Sequence, residues 1–162
     1  MKVVLFLDHA CNLRCRYCYN GASFSRPMPL AVARRGVDMA LGGPPEQRAL
    51  VTFFGGEPLL QMPLIRPIVD HAESEARRRG RRLRMVLVTN GTLLEGDTAD
   101  FLAEHEIYLG VSLDGCRAAH DANRVHADGS PSFDRVARNV GAYLARGGGP
   151  GLRVVAVVDP SN

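Results

Sequence analysis

Five short apolar runs punctuate the chain, at residues 3–7, 50–54, 83–88, 107–111 and 152–158. They are rich in Val, Leu and Ile and mostly do not alternate with polar residues. Strands buried on both faces read this way, and parallel sheets bury both faces. Helical patterns lie between them. Residues 28–41 carry Pro29 near the start and Leu30, Ala33, Val37 and Leu41 on one side. Residues 61–79 carry Leu64, Ile65, Ile68, Val69, Ala72 and Ala76 on one face, with Gly80 as the stop. Pro67 should kink or delay that helix. Asp97 is the expected cap of a short helix through Glu104. Ser132 is the expected cap of a last helix that Gly147 ends, with Phe133, Val136, Ala137, Val140 and Leu144 on its face.

The order is β-α-β-α-β-α-β-α-β, which calls for a parallel sheet with right-handed crossovers. The expectation is one α/β domain over residues 1–162, a partial barrel of five parallel strands and four helices. A length of 162 residues with 46% hydrophobic and 23% charged side chains suits one such domain and excludes a disordered tail. The stretch 147–150, Gly-Gly-Gly-Pro, reads as the loop into strand five. The longest apolar runs are far too short to span a bilayer. No signal-peptide pattern is read at the N-terminus, so the expected location is cytoplasmic, with reduced thiols. The net charge of +3 comes with a single Lys, Lys2, and otherwise Arg, and Trp is absent. Neither a membrane nor a nucleic-acid partner is indicated.

Cysteine carries the most chemistry. Cys11, Cys15 and Cys18 fall in one loop after the first strand, and Cys116 is far away. Three thiolates in a short loop can hold three corners of an iron–sulfur cube and leave the fourth iron open to a small molecule. Zinc, with His9 as fourth ligand, is the minor alternative, because its usual paired spacing is missing. Gly55-Gly56-Glu57-Pro58 follows strand two, with glycines that allow close backbone approach and a carboxylate suited to an ammonium group. Thr89-Asn90-Gly91 follows strand three and Ser112-Leu113-Asp114-Gly115 follows strand four. Asp159-Pro160-Ser161-Asn162 follows strand five. Each alone reads as an ordinary turn. Together they lie at the C-terminal ends of parallel strands, the edge where α/β folds bind ligands.

Cys11-Asn12-Leu13-Arg14-Cys15-Arg16-Tyr17-Cys18-Tyr19 resembles the signature of the radical S-adenosylmethionine (SAM) enzymes. Gly55-Gly56-Glu57-Pro58, Thr89-Asn90-Gly91 and Ser112-Leu113-Asp114-Gly115, in that order, resemble the same superfamily. His120-Asp121-Ala122-Asn123-Arg124, then Gly129 and Ser132-Phe133, is similar to the core of anaerobic sulfatase-maturating enzymes and SPASM-type peptide maturases. The resemblance implies a 4Fe–4S cluster on Cys11, Cys15 and Cys18. It implies reductive cleavage of SAM to a 5′-deoxyadenosyl radical that abstracts hydrogen from a peptide or protein substrate. It also implies a flavodoxin- or ferredoxin-type electron donor. Gly55, Gly56 and Glu57 would hold the methionyl amine. Ser112 would meet the carboxylate or ribose, and Arg124 would pair with the carboxylate. Tyr17 would lie near the adenine. The residues alone leave Arg124 equally readable as a surface arginine and Tyr17 as a half-buried loop aromatic.

Other features take simpler readings. The basic run 77–82 is a solvated helix end, His71 and His105 lie in helical patterns without ligand partners, and Cys116 is a small buried residue. A core of the resembled kind has six βα units, whereas this sequence reads as five strands. The open strand edge would invite a complementing chain or self-association. The functional expectations are a radical SAM enzyme or, alternatively, a cluster- or SAM-binding module that is catalytically incomplete without a complementing chain.

Overall fold

A computed structural model of the chain describes residues 1–158. β1 (Lys2–Phe6), β2 (Ala49–Phe54), β3 (Leu83–Thr89), β4 (Tyr108–Ser112) and β5 (Leu152–Val155) form one five-stranded sheet in sequence order. Every neighbouring pair is parallel, in registers such as Val4 opposite Thr52, Thr52 opposite Val86 and Val86 opposite Tyr108. Sequential parallel neighbours need crossovers, supplied by α1 (Leu30–Leu41), α2 (Met62–Arg78), α3 (Gly96–Glu104), α4 (Arg117–Asn123) and α5 (Phe133–Ala145). Five helices therefore stand where four are expected, because α4 adds a short turn before α5. The last run ends as a strand at Val155 rather than Val158. The motif expected at 159–162 lies outside the described residues.

The strands place Leu5, Val51, Phe53, Met85, Leu87, Leu109 and Val111 on one face, buried against helical residues such as Val37, Ile65, Ile68, Ala72 and Leu102. Each fully buried large side chain contributes about 1.5–3 kcal/mol. The other face is open. Burial alternates along β2 and β3, and Val4 on β1 is 61% exposed. The expectation of strands buried on both faces is thus corrected. Apolar residues at alternate positions face a lumen instead of a second helix layer.

Helix ends follow local chemistry with three departures. Pro29 sits just before α1 in extended backbone, so its missing N–H costs nothing. α2 runs unbroken through Pro67, since burial of Ile65, Ile68, Val69 and Ala72 outweighs one lost backbone hydrogen bond. Neither Asp97 nor Ser132 caps its helix through its side chain. For α5 the cap comes from Asp121, whose Oδ1 accepts from the Ser132 and Phe133 amides at 3.0 and 2.9 Å. The basic run is partly structural. Arg81 donates to the carbonyls of Pro44 and Gln47, and Arg82 donates to that of Glu46, pinning the loop before β2.

Candidate active site at the C-terminal rim

The loop after β1 is tied down by Asp8, which is 3% exposed. Its Oδ1 accepts from the amides of His9, Ala10 and Arg26, and its Oδ2 from Ser25 Oγ and Gln61 Nε2. Burial alone would raise this carboxyl, but the hydrogen bonds led by the Arg26 and Ala10 amides more than offset it. The carboxyl therefore lies below its ordinary value. Sequence reasoning assigned Asp8 no role. Its only signal was a lone carboxylate closing an apolar run.

Gly56 and Glu57 then extend the β1–β2 pairing into the cysteine loop. Gly56 N donates to Asp8 O at 2.9 Å and Glu57 N to Ala10 O at 2.8 Å. A Cβ at Gly56 would stand 2.3 Å from Ala10 O, and one at Gly55, where φ is 152°, would stand 2.5 Å from Asp8 O. These glycines therefore let the cysteine loop sit directly on the end of β2, a different close approach from that expected of a ligand.

Across the loop, Arg14 N and Arg16 N donate to the carbonyls of Val125 and Asn123. The end of the unexpected α4 and the segment just after it thus hold the cysteine loop in place. All three thiols line a cavity of about 150 Å³, with His9, Ser23 and Gly56 beside them. Cys11 and Cys15 are half-buried and Cys18 is exposed. Burial pushes the Cys15 thiol up to about 11, with Arg124 nearby acting in the opposite sense. Burial also raises Cys11, whose Sγ accepts from Leu13 N at 3.4 Å and Asn90 Nδ2 at 3.8 Å. Among the described residues no three His, Cys, Asp or Glu side chains converge on a point for a single metal ion. Three soft thiol donors spread round a cavity suit a multi-iron cluster, in which each thiolate takes its own iron.

A second cavity of about 330 Å³ opens beside the same cysteines, and Tyr17, Gly55, Gly56, Asn90, Ser112 and Arg124 line it. The structure thus brings together five of the six residues expected to touch a cofactor. Glu57 is the exception. It is 1% exposed, and its carboxylate accepts from Leu59 N at 3.0 Å, Thr89 Oγ1 at 2.7 Å and Asn90 N at 2.8 Å. Its charge is directed at the ends of β2 and β3. Burial raises its carboxyl above the ordinary value, with these hydrogen bonds opposing.

Arg124 is 7% exposed, which removes the surface reading. Its Nε and Nη2 grip Asp114 at 2.9 and 3.1 Å, while Tyr17 Oη and Val157 N also donate to Asp114. Burial would raise the Asp114 carboxyl, but Arg124 and then Tyr17 hold it below its usual value. His120 lies behind this pair, fully buried. Asp114 N donates to its Nδ1 at 3.3 Å, and Ser132 Oγ, 2.9 Å from Nε2, itself donates to Arg124 O. That chain of donors fixes a neutral imidazole with its hydrogen on Nε2, in keeping with a pKa lowered first by burial and then by Arg124. Cys116 is exposed, not buried as expected.

The Radical SAM superfamily sequence model matches residues 7–159. The serine-type anaerobic sulfatase-maturating enzyme of Bacteroides thetaiotaomicron is 31% identical over 160 residues, covering 94% of this chain and 38% of that protein. Pre-heme d1 synthase of Dinoroseobacter shibae is 36% identical over 126 residues, covering 75% of this chain and 29% of that protein. The structure of anSMEcpe with bound AdoMet superposes with a TM-score of 0.84 at 25% identity, over 98% of this chain and 44% of that one. Streptococcus suis SuiB bound to precursor peptide SuiA shares the fold, with a TM-score of 0.74 at 20% identity. The chain thus spans less than half the length of these relatives. With residues 7–159 matched by the family and the parallel half-barrel superposing on a solved member of that fold, the chain belongs to the radical SAM superfamily.

Proposed function

We propose that the chain is the cluster- and SAM-binding core of an enzyme that modifies a peptide or protein by hydrogen abstraction. The observation that carries this reading is the adjacency of two cavities, one lined by three thiols and one by Ser112 and Arg124, sharing the cysteines between them. Cys11, Cys15 and Cys18 would hold a 4Fe–4S cluster. When bound, the cluster and SAM supply a carbon-centred radical made by reductive C–S cleavage.

This chain's own residues bind and orient. Ser112 and Arg124 offer a hydroxyl and a guanidinium at one side of the larger cavity, suited to a carboxylate. Asp114 holds the guanidinium in place from behind, so it needs no reorganisation when an anion arrives. Gly55 and Gly56 bring polar backbone to the cavity wall. Glu57 acts as a positioning residue, fixing the ends of β2 and β3 and, through Asn90, the side of Cys11. Val88 and Val155 supply apolar wall that excludes water from a reactive radical. Cys18 and the 81%-exposed Tyr19 leave the loop reachable for a small electron-donor protein of the flavodoxin or ferredoxin type. Relatives that act on sulfatases or hold a peptide make a peptide or protein the favoured substrate class.

Anaerobic reconstitution with iron and sulfide, then SAM and a strong reductant, tests this reading. The expected result is about four irons and four sulfides per chain, with 5′-deoxyadenosine formed and both abolished in Cys15→Ala. Zinc bound without acid-labile sulfide would overturn it. A full cluster with no 5′-deoxyadenosine would favour the incomplete binding module.

A further inference from the structure

We propose that the lumen of the half-barrel contains an anion subsite, built on Arg84 and Arg153, that selects a peptide substrate carrying an acidic side chain. The inference rests on the function proposed above and names the substrate class.

Alternation on β3 puts Val88, Val86 and Arg84 on the open face of the sheet. Val88 borders the cofactor cavity at the rim. Val86 and Arg84 border a separate lumen cavity of about 390 Å³ with Thr52, Tyr108 and Arg153. A chain running from the rim down the open face therefore passes over Val86 and then Arg84. Among the described residues no carboxylate lines that lumen cavity.

Arg84 is prepared for an anion. Its guanidinium carbon stands 4.1 Å from the centre of the Tyr108 ring, a cation–π contact that anchors the side chain to the wall. Its Nε is buried with no hydrogen-bond partner among the described residues. A guanidinium left with an unmet donor has hydrogen-bonding capacity to spare, and its fork pairs best with a carboxylate. Arg153 supplies a second cation from β5, its Nε 3.5 Å from where a Cβ at Gly110 would lie. On the far side of Arg84, Glu73 is already engaged by His105 at 2.9 Å and Arg77 at 3.7 Å, and among the described residues no ion pair joins Arg84 to Glu106. Arg84 precedes Val88 by four residues, about 13 Å at ~3.3 Å per residue. An extended peptide covers that in about four residues. The structure thus assigns the acidic side chain to a position about four residues from the one presented at the rim.

The test uses a rhodamine-labelled octapeptide of glycine and serine ending in two glutamates, and a twin ending in two glutamines. Fluorescence anisotropy measures both against the reconstituted chain. We expect the glutamate peptide to bind at least tenfold tighter, Arg84→Gln to erase that preference, and Arg84→Lys to retain part of it. Arg34→Gln, an exposed site on α1, should retain all of it. Equal binding of the twins overturns the proposal without needing any variant to fold. So does an equal loss in Arg34→Gln, which would mark diffuse charge attraction. Iron and sulfide content is read on the same samples. A full cluster with no glutamate preference therefore removes the subsite alone, whereas absence of a cluster in the wild-type chain removes the function it rests on.

Discussion

Replacing Gly56 with alanine tests whether the glycine pair seats the cysteine loop. The added Cβ would lie 2.3 Å from Ala10 O, 2.6 Å from His9 O and 2.7 Å from the Ala10 carbonyl carbon. Contacts below 3.0 Å are essentially never made by real Cβ atoms. The loop would therefore have to withdraw by at least about 0.7 Å, the difference between 3.0 and 2.3 Å. All three clashing atoms are backbone, so no rotamer change relieves them. Withdrawal stretches the hydrogen bonds Gly56 N to Asp8 O and Glu57 N to Ala10 O, now 2.9 and 2.8 Å. Overpacking of this kind costs about 1–3 kcal/mol, or a fall in Tm of roughly 2–12 °C at ~2–4 °C per kcal/mol for a chain of this size. Cys11 moves with Ala10, so bound iron and sulfide after reconstitution should fall well below the wild-type level. Gly141→Ala is the contrasting change. It lies in α5, with nothing within 4 Å of its added Cβ. It should stabilise by about 0.4–1 kcal/mol and leave cluster loading intact. Thermal melts with iron and sulfide assays on both variants decide the matter. A Gly56→Ala chain with wild-type Tm and full loading would refute the steric argument.

The buried pair at the rim and the buried glutamate give two further expectations. Asp114→Asn leaves Arg124 charged, 7% exposed and without its counter-ion, which should cost about 3–5 kcal/mol in denaturant unfolding. The Asp114 carboxyl is held below its unfolded value of 3.8. Its contribution is therefore complete above pH 3.8 and lost as pH falls through the lower folded value. The stability gap between wild type and variant should shrink only below about pH 3.8, and a gap already closing at pH 6 would contradict the assignment. Glu57→Gln places an amide NH₂ against donors, since both carboxylate oxygens already accept. Destabilisation of about 1–3 kcal/mol is expected from the mismatched donor. A gain in stability would show that desolvation of the charge, which raises its pKa, outweighs the three hydrogen bonds.

The strand–helix alternation was readable because apolar runs of 5–7 residues and 3.6-residue periodicity are local signals. What each strand faces was not readable. Val4, Val86 and Val88 have the composition of core residues yet line an open lumen, because a valine does not record whether a second helix layer covers it. α4 escaped notice for a similar reason. Its seven residues bury only His120 and Asn123, and it is held by long-range partners at Asp114 and Ser132. The cap of α5 comes from Asp121, eleven residues before Ser132, so a search for caps next to the helix names the wrong residue.

The rim was legible for a topological reason, and the same reason shows where legibility ends. Parallel strands deliver their C-terminal loops to one edge, so motifs at strand ends must meet, and five of the six candidates share one cavity. Topology fixes where a residue sits but not which way its side chain turns. Glu57 shows the difference, since three donors inside the fold hold its carboxylate. Asp8 and Asp114 show the complementary case, turn residues whose roles emerge only when distant donors converge on them. Arg84 stands between these cases. A lone arginine between Leu83 and Met85 interrupts an apolar strand at an alternating position. Burying that charge on a helix-covered face would be costly, so its presence already argues that this face of β3 meets solvent or an anion. Read that way, the sequence carries a mark of the open lumen that its apolar neighbours conceal.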